Sequence, residues 1–228
     1  MKLSNETINV LKNFSTINPG LEFRQGKIIK TVSSSKALMA EATLPDDFPE
    51  TFCVYDLNQF LSVNSLFKDN VKLIFDGPNI IFSNEAGDKT VDYRKTAKSM
   101  IVAAPDKSIT LSSIDVNFTL SADDYHWIMD TAKVLSSPHI AVQSDGNSVE
   151  VVTFDATNDS AHVNSFKISG LNPEGKKYKI VFNIENFKMI PGSYEVNISF
   201  QGVSHFKNTK DNIQYWMASE SKYTKIGG

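Results

Sequence analysis

Residues 54–60 read VYDLNQF and residues 181–187 read VFNIENF. Both strings open on Val and an aromatic residue. Asp56 or Asn183 follows, then Leu57 or Ile184, a polar pair, and a closing Phe60 or Phe187. Asp and Asn side chains accept hydrogen bonds from the unpaired N–H groups of a helix's first turn. Each string therefore reads as a strand end running into a short helix. Leu57, Phe60 and Leu61 share one face at helical spacing. In the second string Ile184 and Phe187 do the same, Lys188 replaces the third apolar residue, and Pro191 ends the helix.

The surrounding sequence repeats in the same order. Ser4, with Leu3 before it and Ile8 after it, has the pattern of an N-cap with a hydrophobic staple. Ile8, Leu11 and Phe14 continue an apolar stripe, with Asn5, Asn9, Lys12 and Asn13 opposite, until Pro19-Gly20 stops the helix. At 120–135, LSADDYHWIMDTAKVL, Ser121 is again a cap, with Leu120 and Tyr125 at the staple positions and Asp124 completing a capping box. Tyr125, Ile128, Met129 and Ala132 form its stripe.

Strands are expected near 21–25, 27–32, 37–43 and 51–55 in the first copy, and near 139–143, 148–154, 161–169 and 177–182 in the second. Turn signals such as Gln25-Gly26, Pro45-Asp46-Asp47, Asp145-Gly146 and Pro173-Glu174-Gly175 separate them. After each heptad come VKLIF (71–75) or VNISF (196–200), IIFS (80–83) or VSHF (203–206), and TVDYR (90–94) or NIQYW (212–216), with Tyr93 answering Tyr215. This order predicts an internal duplication. The expected halves are 1–107 and 108–228, of α+β class, with helices on one face of antiparallel sheets. The segment 98–117 reads as the linker. Its apolar run Met100-Ile101-Val102-Ala103-Ala104 is either a joining strand or one wall of a surface groove. The polar tail 219–228 is expected to be loose.

The 228 residues are 41% hydrophobic and include 15 Phe, enough for two cores with a lean toward β structure. The net charge of −3 is the opposite of what a protein that grips nucleic acid by charge carries. Cys53, the single cysteine, excludes an intramolecular disulfide and a cysteine-based zinc site, and reads as a small core residue. No apolar run reaches membrane-spanning length, and the start lacks a signal peptide, so the chain is expected to be soluble and intracellular. His126, His139, His162 and His205 are scattered, without metal-ligand spacing. Asp123-Asp124 sits in a first helical turn, where negative charge stabilises the helix dipole. Neither a nucleophile elbow nor a P-loop is present. No enzyme activity, cofactor or metal is expected.

MKLSNETINVLKNFSTINPG (1–20), YDLNQFLS (55–62) and NFKMIPGSYEV (186–196) together resemble the DNA polymerase sliding clamps, or processivity factors, of T-even-type tailed phages. The resemblance implies two tandem clamp domains per chain and a homotrimeric ring around duplex DNA, with helices lining the hole. It implies as partners duplex DNA without sequence preference, the DNA polymerase, an ATP-dependent clamp loader and late-transcription factors. It places the chain in the cytoplasm of an infected bacterial host. The acidity fits: phosphate pairing makes binding tight and steeply salt-dependent, whereas a ring retained by topology has to slide.

On that resemblance, Lys2, Lys12, Lys68, Lys133 and Lys188 are the DNA-facing candidates, although Trp127 and Asp130 share the helix of Lys133. Ile101, Val102, Pro191, Trp216 and Ala218 are candidates for a partner-peptide pocket, Trp being a frequent hot-spot residue. Val91 and Tyr93, pairing edge to edge with a strand near His162–Ile168, are candidates for the subunit interface. Two other readings are an oligomeric β-rich phage structural protein and a monomeric clamp-like processivity factor. The first does not need capped helices with polar faces, and the second needs a more basic surface.

Overall fold

A computed structural model of the chain describes residues 1–68, 71–168, 170–171 and 175–227. The chain divides into two units, Met1–Lys107 and Ser108–Gly228.

In the first unit, helix α1 (Asn5–Ile17) starts at Ser4, whose Oγ accepts from the Thr7 N–H at 3.2 Å. The Asp46 carboxylate in turn accepts from both the Ser4 N–H and its hydroxyl, tying the cap to a distant strand. Strands β1 (Leu21–Phe23), β2 (Gly26–Val32), β3 (Leu38–Phe48) and β4 (Phe52–Val54) follow, then helix α2 (Leu57–Leu66), capped by Asp56. Strands β5 (Lys72–Asp76), β6 (Asn79–Ser83) and β7 (Thr90–Arg94) close the unit as an antiparallel sheet in that order. β1 pairs with β4, and β2 with β3.

The turn expected at Pro45-Asp46-Asp47 is absent, because β3 runs through it. Register jumps from Ile28↔Thr43 to Gly26↔Phe48, so residues 44–47 form a bulge opposite β2, a setting in which proline is tolerated within a strand.

In the second unit, β8 (Val116–Leu120) leads into helix α3 (Ala122–Val134), capped by Ser121, whose Oγ accepts from the Asp124 N–H and donates to the Asp124 carboxylate. Like α1, α3 has 13 residues. Then come β9 (His139–Asp145), β10 (Val149–Phe154), β11 (Asn164–Ile168), β12 (Gly170–Leu171), β13 (Lys177–Asn183), β14 (Tyr194–Ile198), β15 (Val203–Asn208), β16 (Ile213–Ala218) and β17 (Lys225–Ile226). One antiparallel sheet runs β11-β10-β9-β13-β17, and another includes β12-β8-β14-β15-β16. Ser169, Pro173 and Glu174, which the expected strand and turn included, lie outside the described residues.

The two heptads fold differently after equivalent starts. Asp56 accepts from the Gln59 N–H at 3.0 Å and Asn183 from the Glu185 N–H at 2.9 Å, yet only the first continues as an α-helix. The second stops after one 3₁₀ turn, Ile184–Asn186, so the expected fourth helix is not formed. A helix as long as α2 would run through Pro191, whose ring would collide with the carbonyl four residues back. The closing aromatic keeps its task in both. Phe60 packs on Phe23, Phe82 and Tyr93, and Phe187 on Phe182 and Phe206.

Two further expectations change. The linker is not a strand: residues 98–100 form a 3₁₀ turn, and no strand occurs before Val116. The tail is docked rather than loose, with β17 pairing on β13.

Candidate functional site

The helices of the first unit bury their apolar stripes and leave polar faces in water. α1 exposes Asn5, Glu6, Asn9, Lys12 and Thr16, while α2 exposes Asn58, Gln59, Ser62, Ser65 and, at its last position, Leu66. α1 packs against α2, so this surface is made chiefly of amides and hydroxyls, with few charges. Lys2 and Lys68 flank it, both exposed. In the second unit α3 exposes Asp123, His126, Trp127, Asp130, Lys133 and Val134. Lys188 is exposed too, but follows the 3₁₀ turn instead of lying on a helix.

The linker is held to the first unit by groups that the sequence pattern does not single out. The Asn18 amide donates to the Val32 and Val102 carbonyls, both at 2.9 Å, while its oxygen accepts from the Gly20 N–H. Arg24 donates to the Ala104 carbonyl and pairs with Glu22 and Asp106. Glu22 also holds Lys98 at 2.7 Å, and Lys30 pairs with Glu41 while donating to the Asp106 carbonyl. Lys30 and Glu41 are cross-strand partners, so opposite charges placed across a hairpin were a readable signal. Ile101 lies against Gly20, where an added Cβ would stand 2.6 Å from its Cγ2. Val102 is exposed.

Of the partner-pocket candidates in the second unit, Trp216 is 4% exposed, with its indole stacked on the His205 ring at 5.0 Å. It is a packed residue and not an open anchor, and His205, its cross-strand neighbour, is its cover. Ala218 is half-buried on the same strand and Pro191 is exposed. Tyr215, next to Trp216, accepts from the Ile190 N–H, joining the Pro191 loop to β16. Burial pushes the Tyr215 hydroxyl well above the ordinary tyrosine range.

Among the interface candidates, Tyr93 turns inward. It is buried, and its hydroxyl donates to the Asp56 carbonyl at 3.0 Å, where α2 begins. Alternation puts Asp92 and Arg94 on the exposed face of β7, with Val91 half-buried. β7 is an edge of its sheet and β11 an edge of another. Ile168 is buried in β11, and His162 is exposed ahead of it. Among the described residues there is no grouping of three or more His, Cys, Asp or Glu that could hold a metal, and no helix long and apolar enough to cross a membrane.

Two units of antiparallel sheet with capped helices define a clamp fold. Over 93% of this chain and 94% of the other, it matches PCNA from A. fulgidus, solved with the C-terminal region of FEN-1 bound, with a TM-score of 0.67 at 12% identity. The DNA polymerase processivity factor family matches residues 3–102. Similarity to named sliding clamps runs the full length. It is 28% over 225 residues for Vibrio phage KVP40, covering 97% of this chain and 100% of that protein. It is 28% over 234 residues for Enterobacteria phage T4, covering 98% and 99%. Along its whole length the chain is similar to these phage sliding clamps.

Proposed function

We propose that the chain forms a homotrimeric ring that encircles duplex DNA and tethers the replicative DNA polymerase. Met1–Lys107 and Ser108–Gly228 act as its two clamp domains. The observation that carries this reading is the helical surface of the first unit, an amide- and hydroxyl-rich face with only scattered lysines. Such a face offers a phosphate backbone weak, exchangeable hydrogen bonds and few ion pairs, so retention comes from closure and the ring slides. Lys2, Lys12, Lys68, Lys133 and Lys188 supply a light positive bias toward the duplex. Counterion release scales with the number of phosphates neutralised, so the salt dependence of DNA association is shallow.

The subunit contact joins the free edges of β7 and β11 through their backbones, with Val91 and His162 beside the seam and Tyr93 and Ile168 supporting it from the cores. Partner peptides dock at the linker through Ile101 and Val102, and in the second unit at Pro191 and Ala218, with the covered Trp216 supporting that surface from beneath. An ATP-dependent loader opens the ring, late-transcription factors share the peptide site, and the assembly works in the cytoplasm of the infected host.

Light scattering across a dilution series tests the ring. At micromolar concentration the expected mass is three times 25.4 kDa. A monomer at every concentration overturns the closed-ring reading.

A further inference from the structure

The sheet face carrying Ala141, Val152, Phe154 and Val181 is covered by the tail, through Tyr223, and by Ala156. α3 lies on the other face: Phe182 there meets Phe187, whose carbonyl receives the Tyr125 hydroxyl of α3. Beyond the pairing of β17 with β13, the tail is held by bonds that include Glu220 N–H to the Val181 carbonyl, Val181 N–H to Thr224 Oγ1, and Gly227 N–H to the Lys177 carbonyl. Between the strap and the end of β10 is a recess of about 240 Å³.

Three lysines line this recess, Lys179, Lys222 and Lys225. Lys179 Nζ lies 3.8 Å from the centre of the Phe154 ring, and Lys222 Nζ 5.0 Å from that of Tyr223. The His139 ring sits against both aromatic rings and accepts the Ala156 N–H at Nδ1, which fixes the floor. Two carboxylates are also present. Asp155 is committed to its own turn, accepting from the Thr157 N–H and hydroxyl at 2.8 and 2.7 Å, while Asp159 is exposed at the rim. Burial and the neighbouring Lys225 both lower the proton affinity of Lys179. A partly desolvated cation held over an aromatic face beside a like charge gains from an incoming anion.

We propose that this recess, formed by Lys179, Lys222, Lys225, Phe154 and Tyr223, is a docking site for an acidic segment of a protein partner. Charge complementarity on a net-acidic chain argues for an anionic occupant. The choice of a protein over nucleic acid rests on the reading that the helices face the duplex, because the recess is on the sheet face turned away from α3. The site exists only while the tail is docked, since the strap brings two of its three lysines.

Fluorescence polarisation with a labelled hexaglutamate peptide, a hexaglutamine peptide and a twelve-nucleotide oligothymidylate tests this on the full chain. Hexaglutamate is expected to bind at low salt and hexaglutamine not. The Lys179→Gln/Lys222→Gln variant should weaken hexaglutamate about tenfold, and Lys12→Gln, an equal loss per site on a helix, less than twofold. Equal weakening by Lys12→Gln, or no hexaglutamate binding, overturns the site. Oligothymidylate binding lost through Lys179 and Lys222 overturns the protein assignment instead. The light-scattering mass is independent of either result, so failure of the ring and failure of the recess are separately visible.

Discussion

Replacing Asn18 by Ala isolates the bond network that fastens the linker. Asn18 is 6% exposed and makes three hydrogen bonds, each at 2.9 Å: two donations to carbonyls and one acceptance from Gly20. A net contribution of roughly 0.5–1.5 kcal/mol per bond gives about 1.5–4.5 kcal/mol. The upper part of that range applies where no water reaches the abandoned groups. The cost falls on the first unit, and it releases the Val102 carbonyl in particular. Denaturant titration should show a lower midpoint at unchanged slope. Hydrogen exchange should show faster exchange at residues 101–104 than at β5–β7. Asn18→Asp keeps the acceptor for Gly20 but points a carboxylate at two carbonyls, so it should be at least as damaging. A loss below 0.5 kcal/mol, with unchanged exchange in the linker, would refute the claim that Asn18 holds it.

Three further outcomes are expected. Phe60→Ala removes a fully buried ring that touches three others, and should cost about 3–5 kcal/mol by denaturant titration; Phe187→Ala, closing the second heptad, should cost a similar amount. Gly20→Ala places a methyl group against Ile101 and should cost about 1–3 kcal/mol, with a smaller effect in an Ile101→Ala background, a non-additivity that a double-mutant cycle reads. Burial pushes the Tyr178 and Tyr194 hydroxyls up to about 12. Unfolded tyrosines ionise near pH 10, so the unfolded chain sheds these protons first. The stability they contribute is complete below pH 10 and falls as pH rises toward 12. Phenolate absorbance should therefore rise together with loss of the circular-dichroism signal, and ionisation of these groups well ahead of unfolding would contradict their burial.

What can be read locally from the sequence is what local physics controls. Ser4, Asp56 and Ser121 mark helix starts because a cap needs only its own turn. Alternation and glycine-containing turns mark most strands for the same reason. The paired heptads reveal the duplication because a closing Phe fills the core of each unit, whatever the backbone does next.

The features that sequence alone misplaces depend on distant neighbours. Pro45 reads as a turn, but a register jump against β2 accommodates it within a strand. Asn183 caps as Asp56 does, yet only one 3₁₀ turn follows it, and Pro191 bars a helix as long as the one the matching heptad starts. Tyr93 lies on an edge strand, and only the rings of Phe60 and Phe82 and the Asp56 carbonyl decide that it points inward. Trp216 is closed off by His205 from the neighbouring strand. The tail, polar enough to be read as loose, is held by backbone bonds to β13 that composition does not encode. Caps, stripes and turns follow from interactions within about one helical turn and so belong to the sequence; side-chain direction, burial and strand partnership arise from contacts between residues far apart in the chain, and only the tertiary structure decides them.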